Sequence, residues 1–189
     1  SYRVISNEFI KFLPLICEID KQSAKKSIVV SIEGSSASGK TTLGNILKDI
    51  YDCNLFHMDD FFLRPEQRTP ERFAEVGGNV DRERFLAEVL IPLSEKREVC
   101  YRRFDCSTQK LCEPVNATPK KLNFIEGAYS LHPALEKYYD FSDNNQQRAN
   151  ILFRHALNCF NYIRNCKTQF FIRALVLNII RMLFFLRTI

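Results

Sequence analysis

The chain has 189 residues and a net charge of +5, and 46% of its residues are hydrophobic while 26% are charged. This length favours a single domain, and this balance excludes a chain that is mainly disordered. The positive charge is concentrated after Asp143, where seven Lys or Arg residues and no Asp or Glu follow. Because the rest of the chain is close to neutral, we expect no nucleic-acid partner.

Cysteine usage and the two ends of the chain predict a cytoplasmic protein. The seven cysteines include no C-x-x-C pair, and no histidine lies among Cys100, Cys106 and Cys112. Neither a disulfide framework nor a zinc site is therefore expected. The amino-terminal residues lack the pattern of a signal peptide. The apolar residues 170–189 are interrupted by three arginines and an asparagine, so we expect no membrane span.

Four elements are predicted in the first third of the chain. Residues 7–19 have apolar positions at helical spacing, although Pro14 lies among them. Residues 27–33 form a β-branched run that is typical of a buried parallel strand. A helix with one apolar face is predicted for residues 40–51, and residues 54–57 are a second candidate strand.

The middle of the chain continues the alternation. Residues 64–79 are rich in charge, Pro and Gly, which indicates a loop with a short helix. Asp81 is predicted to be the N-cap of the next helix. Residues 99–104 and 111–115 are predicted to form a hairpin, and residues 122–126 another buried strand. Strands that alternate with helices indicate an α/β fold with a mainly parallel sheet covered on both faces.

Residues 34–41, GSSASGKT, fit the phosphate-loop pattern G-x-x-x-x-G-K-[ST]. Glycines let such a loop turn its N–H groups toward phosphate oxygens, and the helix that follows directs its positive end at them. Lys40 then reaches the β- and γ-phosphates, and the Thr41 hydroxyl binds magnesium. The motif predicts a three-layer P-loop NTPase fold that binds ATP or GTP with Mg2+. The predicted nucleotide-binding residues are Gly34, Ser35, Ser36, Ala37, Ser38, Gly39, Lys40, Thr41 and Thr42.

Acidic residues follow two of the predicted strands. Asp59 and Asp60 end the second strand, and ligands gather at this end of an open parallel sheet. We expect one of the two to take the proton of an attacking hydroxyl or to hold the metal, and the other to cap a turn. Glu126 follows a later strand and is expected to orient magnesium or its water. The three histidines have no visible partners, which favours structural roles.

Five stretches carry a resemblance to a known family. They are GSSASGKTT at residues 34–42, FHMDDFF at 56–62, GGNVDRERF at 77–85, YRRFDCSTQ at 101–109 and IEGAYSLHP at 125–133. In this order and spacing the chain resembles the uridine kinase and uridine kinase-like family of P-loop nucleoside kinases. The resemblance covers roughly residues 28–139, which is more than half of the chain.

This resemblance implies a small-molecule substrate, uridine or a similar nucleoside, that accepts the γ-phosphoryl group of ATP. Asp59 matches the base that acts on the ribose 5′-hydroxyl, and Glu126 matches the acid of the magnesium site. Asp81, which the pattern alone assigns to helix capping, matches an acid that holds the ribose hydroxyls. Tyr101 lies where such enzymes place an aromatic residue near the nucleobase, and Arg103 is assigned to the acceptor pocket.

The resemblance weakens after Tyr139. Related chains continue with a further apolar strand, which this sequence lacks at residues 140–142. The next stretch resembles the start of the family's Arg-bearing lid helix, so Arg148 and Arg154 are the predicted catalytic lid arginines. No match is found beyond Arg154. We therefore predict a P-loop kinase core with an incomplete or altered C-terminal part.

Three segments are predicted from these observations. Residues 1–26 are an N-terminal helix and connection, residues 27–142 the P-loop kinase core, and residues 143–189 a lid-like start followed by a basic, apolar tail. Two alternatives to a nucleoside kinase stay open. One is a degenerate protein that binds nucleotide without turnover, and the other is a related kinase that acts on a pantothenate- or sugar-type alcohol. A homo-oligomer is compatible with the sequence.

Overall fold

The structure of the protein, a computed structural model, describes residues 12–139. The predictions for the lid arginines and the basic tail lie outside these residues. The described strands are β1 (Ile28–Glu33), β2 (Cys53–His57), β3 (Val99–Asp105), β4 (Lys110–Ala117) and β5 (Leu122–Gly127). The α-helices are α1 (Leu13–Ser23), α2 (Lys40–Ile50), α3 (Pro70–Ala74), α4 (Arg82–Phe85) and α5 (Ile91–Ser94). Within residues 12–139, no helix is both long and apolar enough to cross a membrane.

Strands β1, β5 and β2 form a parallel sheet in that order. Leu122 at the start of the central strand is paired with Ile28 on one side and with Cys53 on the other. Among the described strands, β1 pairs only with β5, so its second edge has no strand partner within residues 12–139. Because the three strands run in the same direction, their carboxyl ends meet at one edge of the sheet, where ligands bind in open α/β folds.

Successive side chains of these strands point to opposite faces of the sheet. On one face, Ile28, Val30 and Ile32 are buried in a core that they share with α1 and α2. On the other face, Val29 and Ile125 are buried in a second core, which includes residues of β3 and of the α4–α5 region. Two layers therefore cover the sheet. This arrangement confirms the predicted three-layer α/β fold with a mainly parallel sheet.

Helix α1 lies later in the chain than the pattern predicts. It runs over Leu13–Ser23 rather than residues 7–19, of which residues 7–11 are outside the described part. Pro14 stands in the first turn, where its missing N–H would have no helical partner and its fixed φ suits the helix. Pro14 therefore marks the start of the helix and does not interrupt it, and residues predicted as a connection form its last turn.

The helical segment after Asp81 contains a change of winding. Leu86–Leu90 is a π-helical turn between α4 and α5, and the N–H of Ile91 donates to the Leu86 carbonyl, five residues back. Pro92 has no N–H, and its ring would clash with the carbonyl four residues earlier in a regular α-helix. The π turn ends two residues before Pro92, and a single turn inside a helical segment is the usual form of π-helix.

Strands β3 and β4 form a separate antiparallel hairpin, as predicted. Their pairing is regular from Val99 to Arg102 and shifts before Phe104, which leaves Arg103 at the irregularity. Bulges of this kind bend a strand and change the direction of a side chain. Arg103, a predicted acceptor-site residue, therefore lies at a position where the direction of its side chain differs from that of a regular strand.

Candidate active site

The phosphate loop connects β1 to α2 at the carboxyl edge of the sheet. Gly39 has a φ of 91° and Ala37 a φ of 58°, both in the left-handed region. The N–H of Ser38 donates to the Ser35 carbonyl over 3.2 Å, which closes a turn between these residues. The backbone is therefore tightly curled before α2 begins at Lys40, as a phosphate cradle requires.

Two side chains of the loop fit an anionic ligand. Lys40 is 9% exposed, and its Nζ donates to the Ser35 carbonyl over 2.9 Å, across the loop. The Ser38 hydroxyl is buried without a hydrogen-bond partner among the described residues. A buried hydroxyl without a partner is costly unless a ligand or water satisfies it. Together with the free N–H groups at the start of α2, these atoms suit phosphate oxygens.

Glu126 at the end of β5 joins three elements of the site. Its Oε1 accepts a hydrogen bond of 2.8 Å from the Thr41 hydroxyl on α2. Its Oε2 lies 2.7 Å from Nδ1 of His57, which ends β2 and is paired with Glu126 in the parallel register. Glu126 is only 3% exposed, so both carboxylate oxygens are held by protein donors in a buried position.

The protonation of this pair follows from its contacts. Burial tends to raise the pKa of Glu126, but the hydrogen bonds from His57 and Thr41 and the charges of His57 and Lys40 outweigh it and lower the pKa. The hydrogen bond to Glu126 raises the pKa of His57, although burial of the ring acts against it. Glu126 is therefore ionised at neutral pH, as a metal ligand must be.

The oxygen atoms of Thr41 and Glu126 fit a magnesium ion that is shared with a nucleotide. Mg2+ prefers oxygen ligands and is usually held by one or two protein groups together with substrate phosphates and water. Within residues 12–139, no group of three or more His, Cys, Asp or Glu side chains is placed to hold a metal ion. The donor set thus suits magnesium that arrives with phosphates and does not form a complete cage.

Asp59 and Asp60 lie in a 3-10 turn, Met58–Phe61, that directly follows β2. Asp59 is exposed, whereas Asp60 is half-buried. Burial raises the pKa of Asp60, and the neighbouring charge of Asp59 adds to this effect. The charges of His57, Arg103 and Arg84 act in the opposite direction. The two carboxylates therefore differ in accessibility, and the pKa of the buried one is above its ordinary value.

Asp81 is the N-cap of α4, as the sequence predicts. Its Oδ1 accepts the N–H of Arg84 over 3.1 Å, and its Oδ2 accepts the side-chain amide of Gln67 over 2.9 Å. Nε of Arg84 lies 3.5 Å from the same Oδ2, and Asp81 is only 2% exposed. A cavity of about 270 Å3 lies beside this carboxylate, with Gln67 in its wall. A sugar hydroxyl that replaced Gln67 could bond to Asp81.

Tyr101 is 8% exposed and lies in the core between the sheet and the hairpin. Its ring stacks on Phe61, with centroids 5.5 Å apart, and meets the ring of Phe56 at a steep angle, with centroids 5.8 Å apart. The guanidinium of Arg84 lies 4.4 Å from the centroid of Phe61, on the turn that carries Asp59. Tyr101 therefore supports this turn through packing, and Arg103, two residues further along β3, is exposed.

Comparisons with known proteins find likeness in structure and not in sequence. No family model matches the chain, and no curated protein matches it. The matching solved structures include one described as a possible uridine kinase from Bacillus stearothermophilus. That match has a TM-score of 0.52 and 20% identity, and it covers 82% of this chain and 98% of the other. A protein from Silicibacter sp. TM1040, assigned as a fructose transport system kinase, matches with a TM-score of 0.53 and 20% identity, over 68% of this chain and 71% of the other.

The chain shares the fold of these structures, a three-layer α/β fold of the P-loop NTPase type. Within this fold, the described structure brings Lys40, Thr41 and Glu126 together at the phosphate loop, with the turn that carries Asp59 after the neighbouring strand β2. It places Asp81 in a hydrogen-bonded cap and Tyr101 in the core. Arg148 and Arg154 lie outside the described residues.

The sequence analysis did not predict the roles of three residues near the site. His57 bonds to Glu126, Gln67 bonds to Asp81, and Arg84 on α4 lies over the ring of Phe61 in the 3-10 turn. A signal existed for His57, because it ends a parallel strand as Glu126 does. The sequence did not reveal that these two strands are neighbours. No comparable signal marks Gln67 or Arg84. The contact of Gln67 depends on how the loop of residues 64–79 folds, and that of Arg84 with Phe61 depends on how α4 packs against the 3-10 turn.

Proposed function

We propose that the chain is an ATP-dependent kinase that transfers the γ-phosphoryl group to a hydroxyl of a small acceptor, which is uridine or a similar nucleoside. The observation that carries this proposal is the hydrogen bond of 2.8 Å between Thr41 and Glu126. It joins the phosphate loop to an ionised acid at the end of β5, which is the combination that a nucleotide–magnesium site needs. Because the loop residues act on phosphates and not on the base, GTP is a second candidate donor.

The roles proposed for the described residues cover most of what phosphoryl transfer requires. The reaction depends chiefly on positioning and on neutralising charge. Lys40 is assigned to the phosphates, and Thr41 and Glu126 are assigned to magnesium, which would shield the charge of the phosphate oxygens. Arg148 and Arg154 are proposed to neutralise charge from the lid.

Asp59 is proposed as the base that accepts the proton of the acceptor hydroxyl. Its side chain is exposed at the carboxyl edge of the sheet, where an acceptor can reach it. Asp60 is half-buried and lies near Arg103 and Arg84, which makes it the better candidate for holding the turn. The resemblance to nucleoside kinases supports the same assignment.

The acceptor is proposed to bind beside Asp81, close to the hairpin of β3 and β4. The cavity of about 270 Å3 next to Asp81 supports a ribose-sized group there, provided that Gln67 moves. Tyr101 and Arg103 are proposed to lie near the base of the nucleoside. We place the reaction in the cytoplasm, because the five described cysteines are all free thiols, as is usual in a reducing compartment.

Two other functions have support of their own. The likeness to the protein assigned as a fructose transport system kinase favours a sugar-type alcohol as the acceptor. The weakening of the family resemblance after Tyr139 favours a protein that binds nucleotide without turnover.

A panel of acceptors separates these functions. ADP formation from ATP and magnesium should be measured with uridine, cytidine, fructose and pantothenate, for the full chain and for Asp59→Asn and Asp60→Asn. We expect ADP to form when a nucleoside is the acceptor. The rate of ADP formation should fall by at least about 100-fold in Asp59→Asn and by less in Asp60→Asn. If ADP forms only with fructose or only with pantothenate, that compound and not a nucleoside is the acceptor. If the chain binds ATP but forms no ADP with any acceptor, it binds nucleotide without turnover.

A further inference from the structure

The three nitrogen atoms of the Arg84 side chain each face a different part of the proposed acceptor site. Nη2 donates to the Asp60 carbonyl over 3.3 Å, in the turn that carries Asp59. Nη1 donates to the Arg102 carbonyl over 2.6 Å, on β3 of the hairpin. Nε lies 3.5 Å from Oδ2 of Asp81, the N-cap of α4. One guanidinium therefore connects the acidic turn, the hairpin and the capping acid.

Further contacts hold this guanidinium in place. Its carbon atom lies 4.4 Å from the centroid of the Phe61 ring, and Nη1 also donates to the Glu88 carboxylate over 3.2 Å. Only 10% of the Arg84 side chain is exposed. A cation that lies over an aromatic ring, is bonded to a carboxylate and is withdrawn from water has little freedom to move. The Arg84 side chain is therefore a fixed point among the elements that it contacts.

A guanidinium suits this connection by its shape. The group is planar and directs its N–H groups in a rigid fork, whereas the ammonium of a lysine is a single centre on a flexible stem. Contacts made to one rigid group determine the relative positions of the elements that make them. The turn after β2 and the cap at Asp81 share such contacts through Arg84. A displacement of the turn away from Asp81 must therefore break at least one contact of Arg84.

The buried carboxylate of Asp81 adds an electrostatic reason for this arginine. Asp81 is only 2% exposed, and a buried charge is costly unless it is paired and hydrogen-bonded. The main-chain N–H of Arg84 donates to Oδ1 of Asp81 over 3.1 Å, while the side chain faces Oδ2. The main chain and the side chain of one residue therefore both hold the acid that is proposed to bind the acceptor.

Arg82, two residues earlier on α4, shows what distinguishes Arg84. Its side chain is similarly buried, at 17% exposed, and it forms ion pairs with Glu75 and Glu83. Among the described residues, no hydrogen bond or ion pair joins Arg82 to the turn after β2 or to Asp81. The two arginines share their chemistry, their helix and their burial, and they differ in what they connect.

We propose that Arg84 is a positioning residue for phosphoryl transfer, which fixes the turn that carries Asp59 relative to Asp81. This inference rests on the proposed function. In that function Asp81 holds the acceptor and Asp59 takes its proton, so the distance between the two acids decides how well the hydroxyl is aligned with its base. The rate depends steeply on such alignment, and a displacement of about 1 Å can cost about 100-fold.

Steady-state kinetics of the full chain, with uridine as the acceptor, test this role. We expect Arg84→Met, which keeps an unbranched side chain and loses the fork, to lower kcat by about 100-fold. Calorimetric titration with ATP should give the parent affinity and stoichiometry, because no described contact of Arg84 reaches the phosphate loop. An unchanged stoichiometry shows that the variant is folded, so that a fall in kcat does not reflect unfolded protein.

Two further variants separate positioning from a general loss of stability. Arg84→Lys keeps a charge beside Asp81 but not the fork. It should therefore recover part of the unfolding midpoint that Arg84→Met loses, while kcat stays at least about tenfold below that of the parent. Arg82→Met removes ion pairs from the same helix and should retain the parent kcat, even where its unfolding midpoint falls.

The outcomes distinguish this inference from the proposed function. If the parent forms no ADP with uridine, the proposed function is wrong and the inference fails with it. An active parent whose kcat is retained by Arg84→Met or by Arg84→Lys would overturn the inference alone, and so would an equal loss of kcat in Arg82→Met. If Arg84→Met binds less ATP per chain than the parent, Arg84→Lys decides by the same criterion.

Discussion

At the scale of single residues, the bond between His57 and Glu126 has a testable consequence. It holds one oxygen of Glu126 while Thr41 holds the other. His57→Leu removes this donor from a buried carboxylate, and a hydrogen bond to a charged group contributes about 1.5–3 kcal/mol. We expect the magnesium concentration for half-maximal ATP binding to rise by about tenfold or more.

His57→Asn is the control for this prediction, because its side-chain amide can still donate to Glu126. It should return the magnesium concentration for half-maximal ATP binding toward that of the parent protein, whereas a general loss of stability would affect both variants alike. An unchanged magnesium dependence in His57→Leu would show that Glu126 does not need this donor.

Asp105 in the hairpin turn gives a prediction about pH. Its carboxylate accepts bonds from the hydroxyl and N–H of Ser107 and from the Thr108 hydroxyl. These bonds, with that of the Ser107 hydroxyl foremost, lower the pKa of Asp105 from 3.8 to about 2. The bonds favour the ionised form, so their stabilising effect is present above the unfolded pKa and is lost as the pH falls toward 2.

An NMR titration of the Asp105 carboxyl carbon checks this value. The midpoint should lie near pH 2 in the parent protein and should move toward 3.8 in Ser107→Ala, which removes the foremost donor. If Asp105 titrates near its ordinary pKa in the parent, the turn does not form these bonds in solution.

At the scale of elements, the close approach of β5 to the 3-10 turn gives a further prediction. A Cβ added at Gly127 would lie 2.6 Å from Cβ of Met58, which precedes Asp59. Gly127→Ala must therefore displace the turn or the end of β5. We expect a destabilisation of about 1–3 kcal/mol, as overpacking usually costs. Urea unfolding measures it, and ADP release should fall as well because the turn carries the proposed base.

Gly44→Ala is the matched control on α2. The added atom would lie 3.1 Å from the flexible end of the Leu55 side chain. In addition, Ala is favoured over Gly in a helix interior by about 1 kcal/mol. Gly44→Ala should therefore be close to neutral. Equal losses of stability in the two variants would mean that contact with Met58 is not the reason for glycine at position 127.

The predicted elements show which parts of the fold are local in origin. Strand β1 and helix α2 were predicted within a residue or two, because burial of β-branched residues and helical periodicity are properties of one segment. Helix α1 was placed too early, since apolar spacing alone does not tell a proline that begins a helix from one that breaks it. The π turn before Pro92 was not predicted, as it resolves a conflict between a helical pattern and one proline.

The candidate site was predictable to a different degree at each residue. Lys40 and Thr41 belong to a continuous motif, so their proximity follows from the chain itself. The resemblance implied that Glu126 and Thr41 lie close together, and in the structure the two side chains are hydrogen-bonded. The contact between Gln67 and Asp81 joins two loops whose folding depends on the whole molecule, so no pattern in the sequence indicated it.

At the scale of the whole molecule, the order of the strands explains why the residues of the candidate site lie at one edge of the sheet. The central position of β5 sets Glu126 between the phosphate loop after β1 and the acidic turn after β2. The second edge of β1 is the part of this sheet that residues 12–139 leave without a strand partner.

The most direct test of the account is the transfer of label from ATP to an acceptor. The full chain should be incubated with uridine, magnesium and ATP labelled at the γ-phosphate, beside the Lys40→Ala variant. We predict labelled uridine monophosphate from the parent chain and a loss of at least about 100-fold in Lys40→Ala, since Lys40 is assigned to the transferred phosphate. Label that stays in ATP with the parent chain, or equal transfer by Lys40→Ala, would contradict the account.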